Sequence, residues 1–300
     1  MTATEILSAR FFKVFSPNKV FSPKTSLAAA EKPARRRRTL PRERRWSIAA
    51  LGACQAAILV AVFGFWEIGA RVGWIDKFFW ASPSQIWHTF LIFVDSGSAF
   101  IDTWYTLRST LLGFAIGTSL GGLLGLSFWW SNNYAIILQP YLVALEAMPK
   151  LALAPLLILV FGIGLPSKIV IGMLLTMIIA TLTTAAGVRS IDRDGERLMY
   201  SLGASRRQVF VKLVVPSVLP WLISVLRVNI GLALTGSIVG EFIASQHGLG
   251  RTIMYAGQTY DIALIWVGVF TLSILSAFMY VAVSHLERVL LKGVRHAPAH

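Results

Sequence analysis

The stretch that decides the architecture is DRDGERLMYSLGASRRQVFVKLVVPSVLP, residues 192–220. Asp192 and Asp194 are residue types that favour the positive end of a helix, so we expect a helix to begin there. Gly203 then breaks or turns the chain, and a second short helix follows. Taken together, the two helices are basic and partly apolar. Such a segment is costly to expose, so the pattern predicts a surface on which another protein docks.

Apolar runs of the length that crosses a bilayer, about 20 residues, flank this segment. Only 14% of the 300 residues are charged, against about 25% in soluble domains. Pro216 and Pro220 are expected to end the charged segment at the membrane. We predict an all-α membrane protein with six transmembrane helices and the charged segment between helices four and five. The predicted spans are residues 47–69, 105–130, 134–160, 167–188, 220–243 and 262–284.

Positive charge is concentrated in three segments. Residues 1–45 carry twelve Lys and Arg against three Glu, so twelve minus three leaves +9 of the total net charge of +14. The 189–215 loop and the 285–300 tail are also basic. Basic runs can bind nucleic acid or form a transit peptide, but beside transmembrane helices they more often fix orientation and touch anionic lipid. We therefore expect both termini to be cytoplasmic, the membrane to be the bacterial inner membrane, and no nucleic-acid partner.

Residues 71–104 are only partly apolar and rich in aromatic side chains. Aromatic residues concentrate at membrane–water interfaces. This stretch is expected to lie along the outer headgroups, through Trp74, Phe78, Phe79, Trp80, Trp87 and Trp104.

Four glycines repeat at a spacing of four in the second predicted span. Such spacing leaves one helix face without side chains and lets another backbone approach closely. The face is either a sliding surface of a moving transporter or a site of static tight packing; its residues are Gly113, Gly117, Gly121 and Gly125.

Ionisable residues in the third span mark a candidate solute path, because charge inside a membrane is costly and usually functional. Glu146 and Lys150 are four residues apart, so they share a helix face and can pair. Met148 lies between them. Pro149 and Pro155 predict a bent or broken helix, which often lines a cavity. Simple structural pairing is the alternative.

The fifth predicted span contains two more path candidates, Arg227 and Glu241. They are separated by about 21 Å of helix, so they cannot pair with each other. Arg227 lies near the cytoplasmic end, where it can snorkel. Glu241 lies near the outer end, beside glycines that include Gly248 and Gly250. We predict either a role at the outer gate or local hydrogen bonding.

The sequence lacks the motifs that are typical of catalytic sites. The sequence contains no Gly-Lys dipeptide, which excludes a phosphate-binding P-loop. The five histidines form no metal-ligand pair at helical spacing, and Cys54 is a single cysteine. The chain is therefore expected not to be an enzyme and to bind no cofactor. If ATP drives it, another chain binds that ATP.

The sequence resembles the permeases of binding-protein-dependent ABC importers, in the branch for nitrate, taurine and alkanesulfonates. Their signature is Glu-Ala-Ala, three residues, Gly, nine residues, then Ile-x-Leu-Pro. Here Gly203 is followed by nine residues and then by Leu213 to Pro216. The resemblance covers about residues 105–290, and its other matches are SLGAS (201–205), LALAPLLILVFGIGLPSKI (151–169), GVRSID (187–192), Leu226-Arg227 and VGEF (239–242).

The signature is not complete. Its glutamate position is occupied by Arg197 and its alanines by Leu198 and Met199, while Glu196 lies one residue early. This puts in doubt the family's glutamate contact but not the docking helix. The resemblance implies that the docking surface consists of Glu196, Arg197, Leu198, Ser201, Leu202, Gly203, Ala204, Ser205 and Pro216.

The resemblance also implies the partners and the division of the chain. A cytoplasmic ATPase would bind ATP and Mg²⁺, a periplasmic binding protein would deliver the solute, and a second copy of this chain would complete the path. The implied solute is a sulfonate, taurine or nitrate, with thiamine-precursor pyrimidines or aromatic carboxylates as further options. The alternatives are a proton-coupled secondary transporter and a structural or channel subunit.

The domain organisation follows from the same observations. We expect a basic disordered tail (1–45), a first span with a periplasmic interfacial segment (46–104), a permease core (105–290) and a cytoplasmic tail (291–300).

Overall fold

Helices make up all of the regular structure in residues 47–295, the part of the chain described by this computed structural model. The chain divides into two units, 1–53 and 54–300, and only residues 47–53 of the first are described. The predicted basic tail lies outside the described residues. Within them, the prediction of an all-α protein is confirmed.

Thirteen α-helices follow one another within residues 47–295, joined by turns and by three short 3-10 or π-helical segments. They are α1 (Ile48–Val72), α2 (Lys77–Trp80), α3 (Pro83–Asp95), α4 (Ser98–Ser127), α5 (Asn132–Ala147), α6 (Ala154–Phe161), α7 (Leu165–Arg189), α8 (Arg193–Ser201), α9 (Arg206–Val209), α10 (Val215–Ser224), α11 (Leu226–Ile243), α12 (Leu249–Gln258) and α13 (Ile262–Arg295).

Six helical segments within residues 47–295 are long and apolar enough to cross a membrane. The number agrees with the prediction, but the set differs, because the run from α9 to α11 supplies two of them. The segments are Ala49–Val72, Ser98–Trp130, Leu165–Arg189, Arg206–Ser224, Leu226–Ile243 and Ile262–Lys292.

The third predicted span is a broken pair of helices. Asn132–Ala147 and Lys150–Phe161 are together long and apolar enough to cross a membrane, with an 81° bend between them. Met148 takes an extended conformation (ψ 139°) because the proline after it disfavours helical geometry. Pro155 then lies in the first turn of α6, a position that tolerates proline. The predicted break of this span is confirmed.

The two prolines after the charged segment do not end it, and this prediction was wrong. A π-helical turn, Phe210–Val214, joins α9 to α10, and the Val215 amide bonds to the Phe210 carbonyl. Pro216 lies in the first turn of α10, so its missing N–H costs little there. Pro220 is accommodated inside α10.

The run from Arg206 to Ile243 passes once from one end of the bundle to the other. At its start, Arg206 donates a hydrogen bond to the Trp130 carbonyl, just after α4 ends. Near the end of the run, the Glu241 carboxylate accepts a hydrogen bond from the Thr106 hydroxyl in the first half of α4. Because α4 is one continuous helix between these points, the two candidate spans in this run form a single traverse.

The glycine face of α4 packs directly on α7. A Cβ atom added at Gly117 would lie 2.5 Å from the Met173 carbonyl oxygen, and one at Gly125 would lie 2.7 Å from that of Thr181. The helix α11 also packs closely on α7, since a Cβ at Gly236 of α11 would lie 2.8 Å from the Gly172 Cα. Close backbone approach is therefore confirmed, and it makes α4, α7 and α11 the tightly packed centre of the fold. Sliding of the glycine face of α4 during transport stays a prediction.

The segment between α1 and α4 contains two short helices rather than a span. Glu67 of α1 accepts hydrogen bonds from the amide and the hydroxyl of Ser84, each over 3.0 Å, which holds α3 against α1. The aromatic side chains named above are exposed, as an interfacial role requires, while their placement at headgroups stays a prediction.

The last helix is longer than predicted. α13 continues to Arg295, so residues 291–295, expected to be a tail, are helical.

Candidate functional sites: a docking helix and a buried ionic cluster

The helix α8 has the ends that its sequence predicts. The Asp192 carboxylate caps it by accepting the Asp194 amide over 2.9 Å. At the other end Gly203 has a φ of +82°, a conformation that glycine adopts without strain. Ser205 then caps α9, where it exchanges hydrogen bonds with Gln208. The predicted cap and the predicted turn are both confirmed.

One face of α8 carries uncovered leucines. Leu198 and Leu202 are four residues apart and are 61% and 79% exposed, and no residue of α8 is buried. Burying a leucine side chain stabilises a complex by about 1.5–3 kcal/mol relative to leaving it in water. A short exposed helix that presents two leucines on one face is suited to bind a partner protein.

The opposite face of α8 lines a cavity of about 720 Å³. Arg193, Glu196, Arg197 and Tyr200 recur every three or four residues and so share this face. Arg197 also pairs with Asp194 at 3.3 Å, an exposed contact of little energetic weight. Two predicted docking residues, Glu196 and Arg197, thus lie on the other side of the helix from the leucines.

The segment after Gly203 is anchored to the end of α4. The Arg206 guanidinium lies over the rings of Trp129 and Trp130, 5.5 and 5.1 Å from their centroids. Phe210 packs against the same two rings, and Val209 is fully buried. Stacked side chains therefore connect the segment that follows α8 with the turn between α4 and α5.

At the other end of the bundle, Glu241 is the centre of a buried ionic cluster and is only 1% exposed. Thr106 Oγ1 lies 3.0 Å from both of its carboxylate oxygens, and the Gly250 amide donates to Oε2 over 2.8 Å. Lys168 Nζ lies 3.8 Å from Oε1 and donates to the His247 carbonyl over 3.0 Å. Four elements, α4, α7, α11 and the start of α12, thus meet at one carboxylate.

The same cluster receives the first amides of α12. The Gly248 amide donates to Asp102 over 2.9 Å, the Leu249 amide to Thr106 Oγ1 over 2.9 Å, and the Gly250 amide to Glu241. Negative side chains are stabilised at a helix N-terminus, where the unpaired amides carry partial positive charge. The cluster therefore fixes where α12 begins.

Sequence reasoning missed most of this cluster. Lys168 lies inside the predicted fourth span, and an ionisable residue within a span is itself a signal of function or buried pairing. Asp102 and Thr106 carried no comparable signal, because both stand at the boundary of the second predicted span. Only the packing of α4 against α7 and α11 brings them to Glu241.

The other path candidates are separated from this cluster. Glu146 and Lys150 pair at 2.8 Å across the break between α5 and α6, as predicted, and Met148 between them is exposed. Arg227 does not pair with Glu241, as predicted, and pairs instead with Glu287 of α13, which was not predicted. A part in a solute path remains a prediction for all of them. Among residues 47–295, no group of three or more His, Cys, Asp or Glu side chains could hold a metal ion.

Comparisons with known proteins converge on one family. Residues 113–296 match the family described as binding-protein-dependent transport system inner membrane component. The chain is 34% identical over 229 residues to the formylaminopyrimidine transport permease protein ThiX of Halalkalibacterium halodurans, covering 75% of this chain and 90% of the relative. It is 34% identical over 258 residues to the riboflavin transport system permease protein RibX of Chloroflexus aurantiacus (85% and 96%). It is 27% identical over 250 residues to the taurine transport system permease protein TauC of Escherichia coli (81% and 90%).

Solved structures agree on the fold. A chain from an inward-facing structure of the MetNI methionine ABC transporter superposes with a TM-score of 0.55 at 18% identity, covering 63% of this chain and 94% of that one.

Proposed function

We propose a mechanism for this chain, which belongs to the family of binding-protein-dependent transport system inner membrane components and is a permease of the ABC importer type. The chain forms the solute path, and a separate cytoplasmic ATPase supplies the energy. ATP and Mg²⁺ bind to that partner. The lack of a Gly-Lys phosphate-binding motif in this sequence supports this division.

The leucine face of α8 is the proposed contact with the ATPase. Leu198 and Leu202 enter a cleft of the partner, and the turn at Gly203 holds them at the required angle. Closure of the ATPase then moves α8 as a lever. The stacking of Arg206 on Trp129 and Trp130 passes that movement to the α4–α5 turn.

The orientation follows from charge and from the single traverse of residues 206–243. With the bent α5–α6 pair counted as one crossing, the chain crosses six times, so both termini lie on the side of α8. The basic 189–215 loop supports a cytoplasmic position for that side. The Glu241 cluster then faces the periplasm, where a binding protein delivers the solute.

A second copy of this chain is the proposed partner within the membrane. The second half of α5, α6 and the turn after α6 expose apolar side chains on both sides of the break, including Val143, Leu159, Val160 and Ile163. A permease needs a second wall for its path, and a broken helix is suited to line one. This arrangement places the Glu146–Lys150 pair and Met148 beside the path.

We propose a small nitrogen-containing heteroaromatic compound as the solute, such as a vitamin or its precursor. The observation that carries this choice is the 34% identity to both the formylaminopyrimidine and the riboflavin permeases. A small sulfonate is the second candidate, supported by the 27% identity to the taurine permease. Sequence reasoning alone ranked the sulfonate first.

Uptake by a deletion strain tests the solute. Radiolabelled aminopyrimidine, riboflavin and taurine are each supplied to the strain with the gene restored, with the gene absent, and with Gly203→Pro in its place. We expect uptake of one heteroaromatic compound to need the intact gene. Gene-dependent uptake of taurine alone would transfer the assignment to sulfonates, and no gene-dependent uptake of any of the three would contradict both candidates.

A further inference from the structure

The cavity behind α8 has the charge of an anion-binding site. It lies between the start of α5, the end of α7 and α8, and its charged lining residues are Arg189, Arg193, Arg197 and Glu196. The guanidinium groups of Arg189 and Arg193 make no hydrogen bond or ion pair with any residue in the described part of the chain. Two unpaired guanidinium groups and a third weakly paired one therefore face one cavity with a single carboxylate.

The cavity also borders a surface suited to lipid. Trp129 and Ile136 line it, and Ile136 at the start of α5 is 59% exposed. Ile137 and Tyr141 extend the exposed apolar surface along the same helix. A tryptophan beside arginines at the end of apolar helices is the composition of a membrane–water interface. A headgroup in the cavity would thus have its acyl chains against α5.

We propose that the cavity binds the phosphate of an anionic phospholipid through Arg189 and Arg193. Guanidinium groups bind phosphate oxygens with two parallel hydrogen bonds, and basic pockets between membrane helices on the cytoplasmic side bind anionic headgroups. The inference rests on the proposed function in one respect, because it needs the α8 side to be cytoplasmic.

The bound headgroup contacts the cavity-lining face of α8 and leaves the leucine face free to bind the ATPase. The cavity-lining residues of α8 and its exposed leucines lie on opposite sides of the helix. A lipid and the ATPase can therefore contact α8 together. Bound anionic lipid therefore makes α8 more rigid, and α8 is the helix through which the ATPase acts.

Native mass spectrometry of the full-length permease, purified with its ATPase, tests this site. Phosphatidylglycerol is titrated against phosphatidylcholine for the wild type, for the double variant Arg189→Gln/Arg193→Gln, and for Arg207→Gln. Arg207 is an exposed arginine near the same end that does not line the cavity, and the basic N-terminal tail is present in every protein. We expect the double variant to bind phosphatidylglycerol at least about fivefold more weakly and the control to bind as the wild type does.

Further measurements separate the possible outcomes. Arg189→Lys/Arg193→Lys keeps the charge and should keep most of the lipid selectivity, and thermal unfolding without lipid shows whether the glutamine variant is folded. Unchanged phosphatidylglycerol binding by a folded glutamine variant would overturn the site. Displacement of the lipid by inorganic phosphate or ATP at equal concentration would assign the cavity to a free phosphate compound instead. Co-purification of the ATPase is scored separately, so loss of docking is not mistaken for loss of the lipid site.

Discussion

At the scale of single residues, the Glu241 cluster combines two buried carboxylates with one buried ammonium group. Asp102, Glu241 and Lys168 are each less than 5% exposed. Charges removed from water are tolerated only where partners and hydrogen bonds compensate them. Here the amides of α12 and the hydroxyl of Thr106 supply that compensation. The cluster is therefore sensitive to the loss of any one member.

Lys168→Met should destabilise the protein strongly, because it leaves two buried carboxylates without a cation. Removing one partner of a buried pair costs about 3–5 kcal/mol. Glu241→Gln should cost less, since the amide still bonds to Thr106 and Gly250. Thermal unfolding in detergent measures both, with Lys212→Met, an exposed lysine, as the control. Equal stability of Lys168→Met and the control would refute the role of the cluster.

Gly248→Ala should be damaging for two separable reasons. Its φ is +125°, which strains any other residue, and its Cβ would lie 2.5 Å from Glu241 Oε2. Gly73→Ala is a matched control, with a φ of +89° and nothing within 4 Å of its added Cβ. We expect Gly248→Ala to lower the unfolding temperature clearly more than Gly73→Ala. The difference measures the close approach of the loop to the carboxylate.

At the scale of helices, α4 and α7 are in such close contact that the glycines between them admit no side chain. Gly117→Ala places a Cβ 2.5 Å from the Met173 carbonyl oxygen, which forces the helices apart at a cost of about 1–3 kcal/mol. Gly231→Ala in α11 has nothing within 4 Å of its Cβ and should not destabilise. Thermal unfolding of the two variants compares them directly. Equal unfolding temperatures would contradict the close packing.

The turn that follows α8 depends on the positive φ of Gly203. Proline at position 203 cannot adopt a φ of +82°, and it removes the amide that donates to the Tyr200 carbonyl over 3.0 Å. Gly203→Pro should insert in the membrane but no longer co-purify with the ATPase.

Leu198→Ala/Leu202→Ala should weaken binding of the ATPase at least about tenfold, since each leucine contributes about 1.5–3 kcal/mol when buried. Val281→Ala, at an exposed apolar residue of α13, is the control, and retained ATPase binding by both docking variants would exclude α8 as the contact.

At the scale of the whole molecule, we predict that positive charge sets the orientation, and +9 of the net charge of +14 lies in residues 1–45, before the first membrane helix. Twelve cations precede the first span, and they favour retention of the N-terminus in the cytoplasm. Removing residues 1–40 should therefore lower the fraction of correctly oriented protein more than it lowers transport per correctly oriented molecule. Protease accessibility in inside-out vesicles measures the orientation. Normal orientation together with defective transport would assign the tail a different role.

Much of the fold was readable from local patterns. Apolar runs identified the positions of most membrane helices, the glycine spacing identified the α4–α7 contact, and Pro149 predicted the break after Met148. Each of these depends on residues close together in the chain. The end of the charged segment at Pro216 was mispredicted because a π-helical turn before a proline has no clear local signature.

The sequence by itself determined the class of the protein, the number of candidate spans and the ends of α8, since hydropathy, charge and helix capping act within a few residues. Tertiary structure alone decided what surrounds Glu241 and what faces each side of α8. Asp102, Lys168 and Glu241 are distant in the chain, and no periodicity relates them. They meet because the glycine-lined faces of α4, α7 and α11 bring the helix ends together, and a charge buried there is stable only among the partners that this packing supplies.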